Sequence, residues 1–280
     1  MISSRNEISR DAVALHYDEL DHFYRDVWGE HVHHGLWTRG DETREQAILQ
    51  LTELASKNAQ ITAGTQVCDI GCGYGATARV LASRGAQVTA VTISPAQYEV
   101  ATKSNAGSSN PRFLLDDWLH NDLPSDSFDA AIAIESSEHM PDLDGFFVQA
   151  HRILRARGRL VVCAWLSAEE PSTRSKNWLL EPICREGRMP QIGSASDYRS
   201  LGERTGFALQ QFEDVSRAVA RTWPAIVRRL LGKLVTQPRY LRFLFSRHAS
   251  NRIFALTILR IWIAYRVGAM RYGVFTFVKL

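Results

Sequence analysis

An acid and a histidine follow an apolar run that ends at Ile134, and this pair is suited to acid–base chemistry. The imidazole of His139 has an ordinary pKa of about 6.5, so near neutral pH it can take a proton from a hydroxyl group. Glu138 could hold the tautomer of that imidazole or take the proton itself. We therefore predict both as catalytic residues. In the alternative, His139 caps the next helix or bonds Asp142.

A glycine-rich loop after the apolar run Gln66–Ile70 is the second chemical signal. Residues 69–75 read Asp-Ile-Gly-Cys-Gly-Tyr-Gly, and such glycines permit a tight turn and close approach of a ligand to the backbone. The Gly-x-Gly-x-Gly spacing differs from the Gly-x-Gly-x-x-Gly of dinucleotide sites. Because the carboxylate of Asp69 would repel a pyrophosphate, the loop favours a cationic, amino-bearing ligand.

The elements around these residues alternate between strand and helix. Apolar patterning predicts five strands, at residues 66–70, 87–93, 113–115, 128–134 and 159–165. It predicts helices at residues 9–28, 42–57, 76–83, 95–103 and 143–154, with further helices at 219–245 and 253–267 and a last strand at 273–278. This alternation predicts an α/β fold with a mostly parallel sheet.

The glycine loop resembles the first motif of class I S-adenosylmethionine (SAM)-dependent methyltransferases. Residues 28–37, 92–97, 135–142 and 221–227 are similar to segments of the tocopherol O-methyltransferase group, which lies near sterol C-methyltransferases and natural-product sugar O-methyltransferases. The resemblance runs from about residue 11 to 279. It implies a Rossmann-like sheet with an antiparallel last strand, a helical N-terminal lid (1–60), a SAM-binding core (61–166), and a helical substrate cap with the final strands (167–280).

The resemblance also implies residues that bind SAM, the product being S-adenosylhomocysteine. Thr92 replaces the acid that usually binds the ribose, so Gln97 or backbone groups would compensate. Asp117 matches the acid that meets the adenine amino group, although Asp116 and Asp117 could equally be a solvated loop pair. The full implied set for SAM is Tyr17, Asp69, Gly71, Gly73, Gly75, Thr92, Ile93, Gln97, Asp117, Trp118 and Glu135.

Aromatic residues concentrate in the predicted lid and cap, which suits a flat or prenylated acceptor. The resemblance implies that Trp28, His34 and Trp37 line the acceptor cavity from the lid, and we predict that Trp165 and Trp178 also bind the acceptor. The methyl group would go to a phenol or quinol oxygen, or to a prenyl or aromatic carbon. Carbon methylation passes through a carbocation, which aromatic faces stabilise; there Glu138 or His139 would remove a proton afterwards.

The charge of the chain is unevenly distributed. Residues 215–280 hold 13 basic residues and no acidic one, whereas residues 1–214 carry a net charge of −10. The basic tail could contact an anionic membrane surface, hold a prenyl diphosphate, or form a cap whose arginines are solvated or pair internally. Nucleic-acid motifs are absent, which argues against that class of partner. A homo-oligomer is compatible with the sequence.

Several classes are disfavoured by composition. No uncharged apolar run reaches the roughly 18 residues of a membrane-spanning helix, and the polar first residues predict no secretory signal. Cys68 and Cys72 lack a second Cys or His pair at zinc-like spacing, so we expect free thiols, no metal and a cytoplasmic or membrane-peripheral location. A nicotinamide oxidoreductase and a non-catalytic SAM-binding protein at a membrane remain as alternatives.

Overall fold

The computed structural model describes residues 1–236 and 254–280. Its strands are β1 (Ile2–Ser3), β2 (Gln66–Ile70), β3 (Gln87–Thr92), β4 (Arg112–Leu115), β5 (Phe128–Ile134), β6 (Leu154–Ser167), β7 (Gln191–Ile192), β8 (Phe207–Asp214) and β9 (Met270–Lys279). Seven of them form one sheet in the order β4-β3-β2-β5-β6-β9-β8. Strands β2 to β6 are mutually parallel, and β9 is antiparallel to both β6 and β8. The predicted α/β sheet with an antiparallel last strand is confirmed.

Helices cover both faces of this sheet, and the N-terminal helices lie over the carboxyl ends of its strands. They are α1 (Arg10–Glu19), α2 (Asp21–Val27), α3 (Arg44–Asn58), α4 (Ala76–Ser83), α5 (Pro95–Lys103), α6 (Leu143–Ile153), α7 (Thr173–Ser175), α8 (Glu181–Glu186), α9 (Ala195–Arg204), α10 (Ser216–Val219), α11 (Thr222–Thr236) and α12 (Phe254–Arg266). Short helical turns occur at Trp118–His120, Ser137–His139 and Lys176–Leu180. None of the helices in the described ranges is long and apolar enough to cross a membrane.

The N-terminal helices are held by partly buried hydrogen bonds to the segments that follow β2 and β3. The Asp18 carboxylate accepts hydrogen bonds from the Ser94 hydroxyl (2.6 Å) and from the backbone N–H of Ala96 (3.3 Å), at the start of α5. The Tyr74 hydroxyl donates to Asp21 at 2.9 Å. These bonds place α1 and α2 over the carboxyl ends of β2 and β3, where the loops of an α/β sheet bind ligands.

The structure departs from the sequence expectations in a few places. The helix predicted at residues 9–28 is broken at the buried Leu20 (φ −95°, ψ 7°), which caps α1 and precedes α2. Strand β8 was not predicted. It lies at the edge of the sheet and is partly exposed, so its sequence lacks the regular alternation of apolar residues that marks a strand. Helix α9 was also missed, although its capping box of Ser194 and Asp197 is a readable signal. The predicted helix at 219–245 extends beyond residue 236, outside the described residues.

Part of the basic tail pairs with the acidic half of the chain. Arg260 contacts Glu186, and Lys279 binds Asp126 at 2.8 Å. The Arg266 guanidinium lies over the Trp262 ring, 5.2 Å from its centroid. Internal pairing, one of the readings of the tail, therefore accounts for some of its arginines.

Candidate active site

Two adjoining cavities lie at the carboxyl ends of β2, β3 and β5. The larger has a volume of about 400 Å³ and the smaller about 50 Å³. Four residues line both: Tyr17, Val32, Glu135 and His139. A boundary built in this way allows a ligand in one cavity to react with a ligand in the other.

The glycine loop forms the floor of the larger cavity. Gly71, Gly73 and Gly75 have φ angles of 76°, 55° and 75°, a region that residues with a Cβ rarely adopt. A Cβ on Gly71 would lie 2.3 Å from the Cβ of Ser136. Ser136 is held in place because its hydroxyl donates a hydrogen bond to the carbonyl oxygen of Ile70. Close packing therefore requires glycine at Gly71. Gly75 does not line the cavity; it begins α4 against the ring of Phe113.

Gly75→Ala is expected to destabilise the protein beyond the cost of its backbone angle. The left-handed conformation costs a residue with a Cβ about 1–2 kcal/mol, and overpacking against Phe113, 2.4 Å away, adds about 1–3 kcal/mol. Gly107→Ala is the matched control, since Gly107 has φ 86° and open space around it. Denaturant unfolding measures both variants, and equal losses of stability would contradict the packing role of Gly75.

Asp69 supplies an unpaired carboxylate to the larger cavity. It is buried, and within the described residues its Oδ2 atom has no hydrogen-bond partner. Burial raises the pKa of Asp69 to about 7. A buried carboxylate without a partner is stabilised by a cation or a hydrogen-bond donor. The amino group and sulfonium of SAM meet this requirement, so the residues present fit that cofactor.

The remaining predicted SAM residues lie along the wall of the same cavity, except Gly75. The Thr92 hydroxyl donates to Gln97 Oε1 at 2.9 Å, which leaves the amide N–H groups of Gln97 available to a ligand. Asp117 accepts the Leu119 N–H, and its Oδ2 lies 3.0 Å from His120 Nδ1. Both Asp116 and Asp117 line the cavity, so the choice between them for adenine stays a prediction. The Trp118 indole N–H bonds the carbonyl oxygen of Phe146 in the core.

His139 lies at the boundary of the two cavities with both ring nitrogens engaged. Its Nδ1 is 3.2 Å from the carbonyl oxygen of Arg188, and its Nε2 is 2.9 Å from the Tyr17 hydroxyl. Because a carbonyl oxygen only accepts, the proton of the neutral ring is on Nδ1, and Nε2 accepts from Tyr17. Burial lowers the pKa of His139 and keeps the ring neutral near pH 7. Asp142 instead caps α6, so the alternative of a His139–Asp142 bond is wrong.

Glu138 does not orient His139, which corrects one expectation from the sequence. Its carboxyl accepts the backbone N–H of Trp165 at 2.5 Å and the Ser137 hydroxyl at 3.2 Å. Burial raises the pKa of Glu138 to about 8, so the side chain is largely protonated at neutral pH. It lines the smaller cavity, where it can donate a hydrogen bond to a bound acceptor.

Glu135 joins three parts of the chain. Its Oε1 accepts from the backbone N–H of His34 (2.7 Å), from His34 Nδ1 (2.9 Å) and from the Tyr272 hydroxyl (2.8 Å); its Oε2 accepts from Trp165 Nε1 (2.8 Å). Burial alone would raise its pKa, but the bonds and charge from His34 lower the pKa of Glu135 to about 2. The ionised carboxylate ties the N-terminal segment around His34 to β6 and β9.

Aromatic side chains enclose the smaller cavity. Of the residues predicted to bind the acceptor, Trp28, His34 and Trp165 line it. Trp37 and Trp178 do not, which corrects the prediction. The indole N–H of Trp37 bonds the carbonyl oxygen of Glu42 away from the site, and Trp178 is 73% exposed.

Several residues outside the predicted site set also line the two cavities, although the resemblance had placed the stretch around His31 and His33 in the lid. Tyr24 and Trp223 line the smaller cavity, and the resemblance of residues 221–227 was a signal for Trp223. His31 and His33, whose rings are hydrogen-bonded at 3.1 Å, line the larger one. No group of three or more His, Cys, Asp or Glu in residues 1–236 and 254–280 could hold a metal ion.

Three features together define a class I SAM-dependent methyltransferase. They are the buried carboxylate of Asp69, whose Oδ2 has no partner among the described residues, the glycine loop with left-handed φ angles, and the parallel sheet with its antiparallel strand β9. The profile of the mycolic acid cyclopropane synthetase family matches residues 4–236, and the chain belongs to this family. The predicted enzyme class and the predicted cofactor, SAM, are thereby confirmed, and the oxidoreductase alternative loses its support.

Known relatives agree with this class. Tocopherol O-methyltransferase of Arabidopsis thaliana is 28% identical over 98% of this chain and 83% of its own length. The 27-O-demethylrifamycin SV methyltransferase of Amycolatopsis mediterranei is 30% identical over 77% of this chain and 80% of its own length. The solved structure of mycolic acid cyclopropane synthase CmaA1 with SAH and CTAB has the same fold (TM-score 0.83, 22% identity, 99% of this chain and 100% of that one).

Proposed function

We propose that the enzyme methylates a hydroxyl group of a small lipophilic acceptor, with His139 as the general base. The observation that carries this proposal is the position of His139 Nε2, which is a hydrogen-bond acceptor at the boundary of the two cavities. The larger cavity suits SAM because it holds Asp69 and the glycine loop. The smaller cavity then receives the acceptor.

The residues at the boundary of the two cavities accept the proton that the acceptor hydroxyl loses. Bound SAM supplies an electrophilic methyl group on a sulfonium. Burial raises the pKa of Tyr17 well above its usual range, so its phenol stays protonated and donates to His139 Nε2. The proton of the acceptor passes to Nε2 directly or through the Tyr17 hydroxyl, and the oxygen takes the methyl group. Holding the two ligands side by side contributes about 7–11 kcal/mol to such reactions.

The wall of the smaller cavity supports a neutral, apolar acceptor. Aromatic rings and aliphatic chains dominate it, and its described residues include no Lys or Arg that would bind a diphosphate. The named relatives act on tocopherol and on 27-O-demethylrifamycin SV, and we extend a lipophilic acceptor to this chain from them. A volume of about 50 Å³ is far below the roughly 300 Å³ of an ordinary ligand site, so acceptor binding must widen this cavity.

Carbon methylation of a prenyl double bond is the second candidate. The observation that favours it is the set of five aromatic rings around the smaller cavity, from Tyr17, Tyr24, Trp28, Trp165 and Trp223. Aromatic faces stabilise a cation by about 0.5–2 kcal/mol each. In this reaction the methyl adds to the alkene, and His139 Nε2 removes a proton from the neighbouring carbon of the cation.

Binding and transfer assays separate the candidates. Calorimetry with S-adenosylhomocysteine tests the larger cavity, and radiolabelled methyl transfer to phenols, quinols, aliphatic alcohols and prenyl compounds tests the smaller. Transfer to an oxygen supports the leading proposal, and transfer only to prenyl carbons supports the second. Binding of S-adenosylhomocysteine without transfer to any acceptor would favour a non-catalytic SAM-binding protein.

We also propose peripheral contact with an anionic membrane surface, from which a lipophilic acceptor could enter. Helix α12 has two apolar faces. Ile258, Ile261 and Ala264 are buried, and Ile261 lines the smaller cavity. Leu259 and Ile263 of this helix and Val267, just beyond its end, are 48%, 36% and 61% exposed and recur every four residues, so they form one outward stripe. The excess of basic residues in positions 215–280 would attract this part of the chain to anionic lipid.

Vesicle flotation tests this contact. Wild-type protein should bind vesicles containing phosphatidylglycerol, release with added salt, and bind pure phosphatidylcholine weakly. Leu259→Ser/Ile263→Ser should lower binding about tenfold or more, because two exposed apolar side chains are lost. Leu49→Ser/Val148→Ser is the control, since both residues are exposed elsewhere. An equal loss in the control, or equal binding to neutral vesicles, would refute the proposed surface.

A further inference from the structure

The turn that follows α8 contacts both the proposed base and the acceptor cavity. Gly187 and Met189 line the smaller cavity, and the carbonyl oxygen of Arg188 between them lies 3.2 Å from His139 Nδ1. Arg188 is 49 positions from His139 in the chain. Nothing in the local sequence of either residue indicates this contact.

The backbone of Arg188 is held in an unfavourable conformation. Its φ angle is 54°, in the left-handed region that a residue with a Cβ rarely adopts, whereas the neighbouring Gly187 has an ordinary φ of −85°. Neighbouring bonds hold the turn: Met189 N–H donates to Cys184 (2.8 Å) and Ser4 N–H donates to Pro190 (2.9 Å). Strain that the surroundings impose in this way is concentrated at functional sites.

This carbonyl determines which nitrogen of His139 can act as a base. A neutral imidazole carries one proton, and a carbonyl oxygen next to Nδ1 draws that proton to Nδ1. Nε2 then keeps its lone pair toward Tyr17 and the cavities. Glu138, the neighbouring carboxyl group, is bonded to Trp165 and Ser137 instead. The carbonyl of Arg188 is therefore the group that orients the ring.

We propose that Arg188 is a positioning residue, whose left-handed backbone aims its carbonyl at His139 Nδ1 and so keeps Nε2 as the basic nitrogen. This inference rests on the proposed role of His139. Because Gly187 and Met189 belong to the acceptor wall, the same turn links the tautomer of His139 to the shape of the acceptor cavity.

Arg188→Val tests the proposal, because a β-branched residue strongly disfavours a positive φ. Nitrogen-15 NMR of histidine-labelled protein reports the tautomer of His139 by two-bond couplings. We expect the wild type to carry the proton on Nδ1 and the variant to show a mixture or the Nε2–H form. Turnover should fall about threefold to tenfold, the range for losing one hydrogen bond. Affinity for S-adenosylhomocysteine should not change, since Arg188 is not in the larger cavity.

Arg157→Val is the matched control, since Arg157 is an exposed arginine with φ 63° near the start of β6, at the end of that strand opposite the site. Arg188→Gly adopts the left-handed backbone freely and should keep the wild-type tautomer signal. An unchanged tautomer in folded Arg188→Val, or the same change in Arg157→Val, would overturn the proposal. If Arg188→Val fails to fold, the wild-type spectrum is sufficient as a test, because a His139 that carries its proton on Nε2 in the wild-type protein would overturn the proposal. The NMR measurement needs no methyl acceptor, so its result can be distinguished from a failure of the proposed methyl-transfer function.

Discussion

His139→Ala is expected to lower kcat by about 10²–10⁴-fold, the usual contribution of a general base, while affinity for S-adenosylhomocysteine changes little. In the proposed reaction the imidazole accepts the proton through Nε2 at the boundary of the cavities, and methyl transfer to oxygen slows when the O–H bond is retained. Asp69 and the glycine loop are predicted to hold the cofactor, so its affinity should not depend on His139. Steady-state kinetics with a hydroxyl acceptor and calorimetry with the cofactor product measure the two effects separately.

Two variants sharpen this prediction. His139→Gln keeps hydrogen-bonding capacity but has no basic nitrogen, so it should lose as much turnover as the alanine variant. His151→Ala removes a histidine that packs against Phe207, away from both cavities, and controls for the substitution itself. Turnover by His139→Gln close to wild type would remove His139 from the role of base and leave it as a hydrogen-bond donor.

Asp69→Asn is expected to weaken SAM binding about 10- to 100-fold. The asparagine side chain is nearly isosteric, so the change removes charge and little packing. A hydrogen bond to a charged group contributes about 1.5–3 kcal/mol, which is the range of that loss. Equilibrium binding of SAM measures it, and Asp144→Asn, at an exposed carboxylate paired with Arg204, is the control. Unchanged affinity in Asp69→Asn would separate this residue from the cofactor.

The pH dependence of binding provides a second measurement on the same residue. Burial raises the pKa of Asp69 to about 7, so the carboxyl is protonated at pH 6 and charged at pH 8. The sulfonium charge of SAM does not titrate, and the α-amino group loses its proton only at about pH 8, so the attraction to Asp69 increases as the pH rises from 6 through 7. Wild-type affinity should therefore increase between pH 6 and 7.5, and the Asp69→Asn variant should lack this increase.

Features coded by neighbouring residues were predictable from the sequence. The strand, the glycine loop and Asp69 are consecutive, and the positive φ angles of Gly71, Gly73 and Gly75 follow from residue type. The ends of β3 and β5 likewise followed from apolar runs. These local signals were enough for the parallel strands, the glycine loop and the position of His139, whereas the antiparallel last strand and most residues of the larger cavity were implied by the resemblance.

Features that depend on distant contacts were not predictable. The partner of His139 Nδ1 is a backbone carbonyl, which any residue type supplies, so no side chain identified Arg188. The partners of Glu138 were equally hidden, because one is the backbone N–H of Trp165. Trp178 is aromatic like Trp165, but it is exposed because it lies on the side of its helical turn that faces water. The amino-acid type alone therefore does not predict which of the two tryptophans lines the cavity.

The shared carboxylate of Glu135 has a consequence for the kinetic order of the reaction. It fastens His34 of the N-terminal segment and Trp165 of the acceptor wall to one point, and the segment also covers the larger cavity through His31 and His33. Any movement of this segment that admits SAM would also release the acceptor wall, so the acceptor should bind best once SAM is in place. We therefore expect a compulsory-order mechanism, in which the cofactor binds first and S-adenosylhomocysteine departs last.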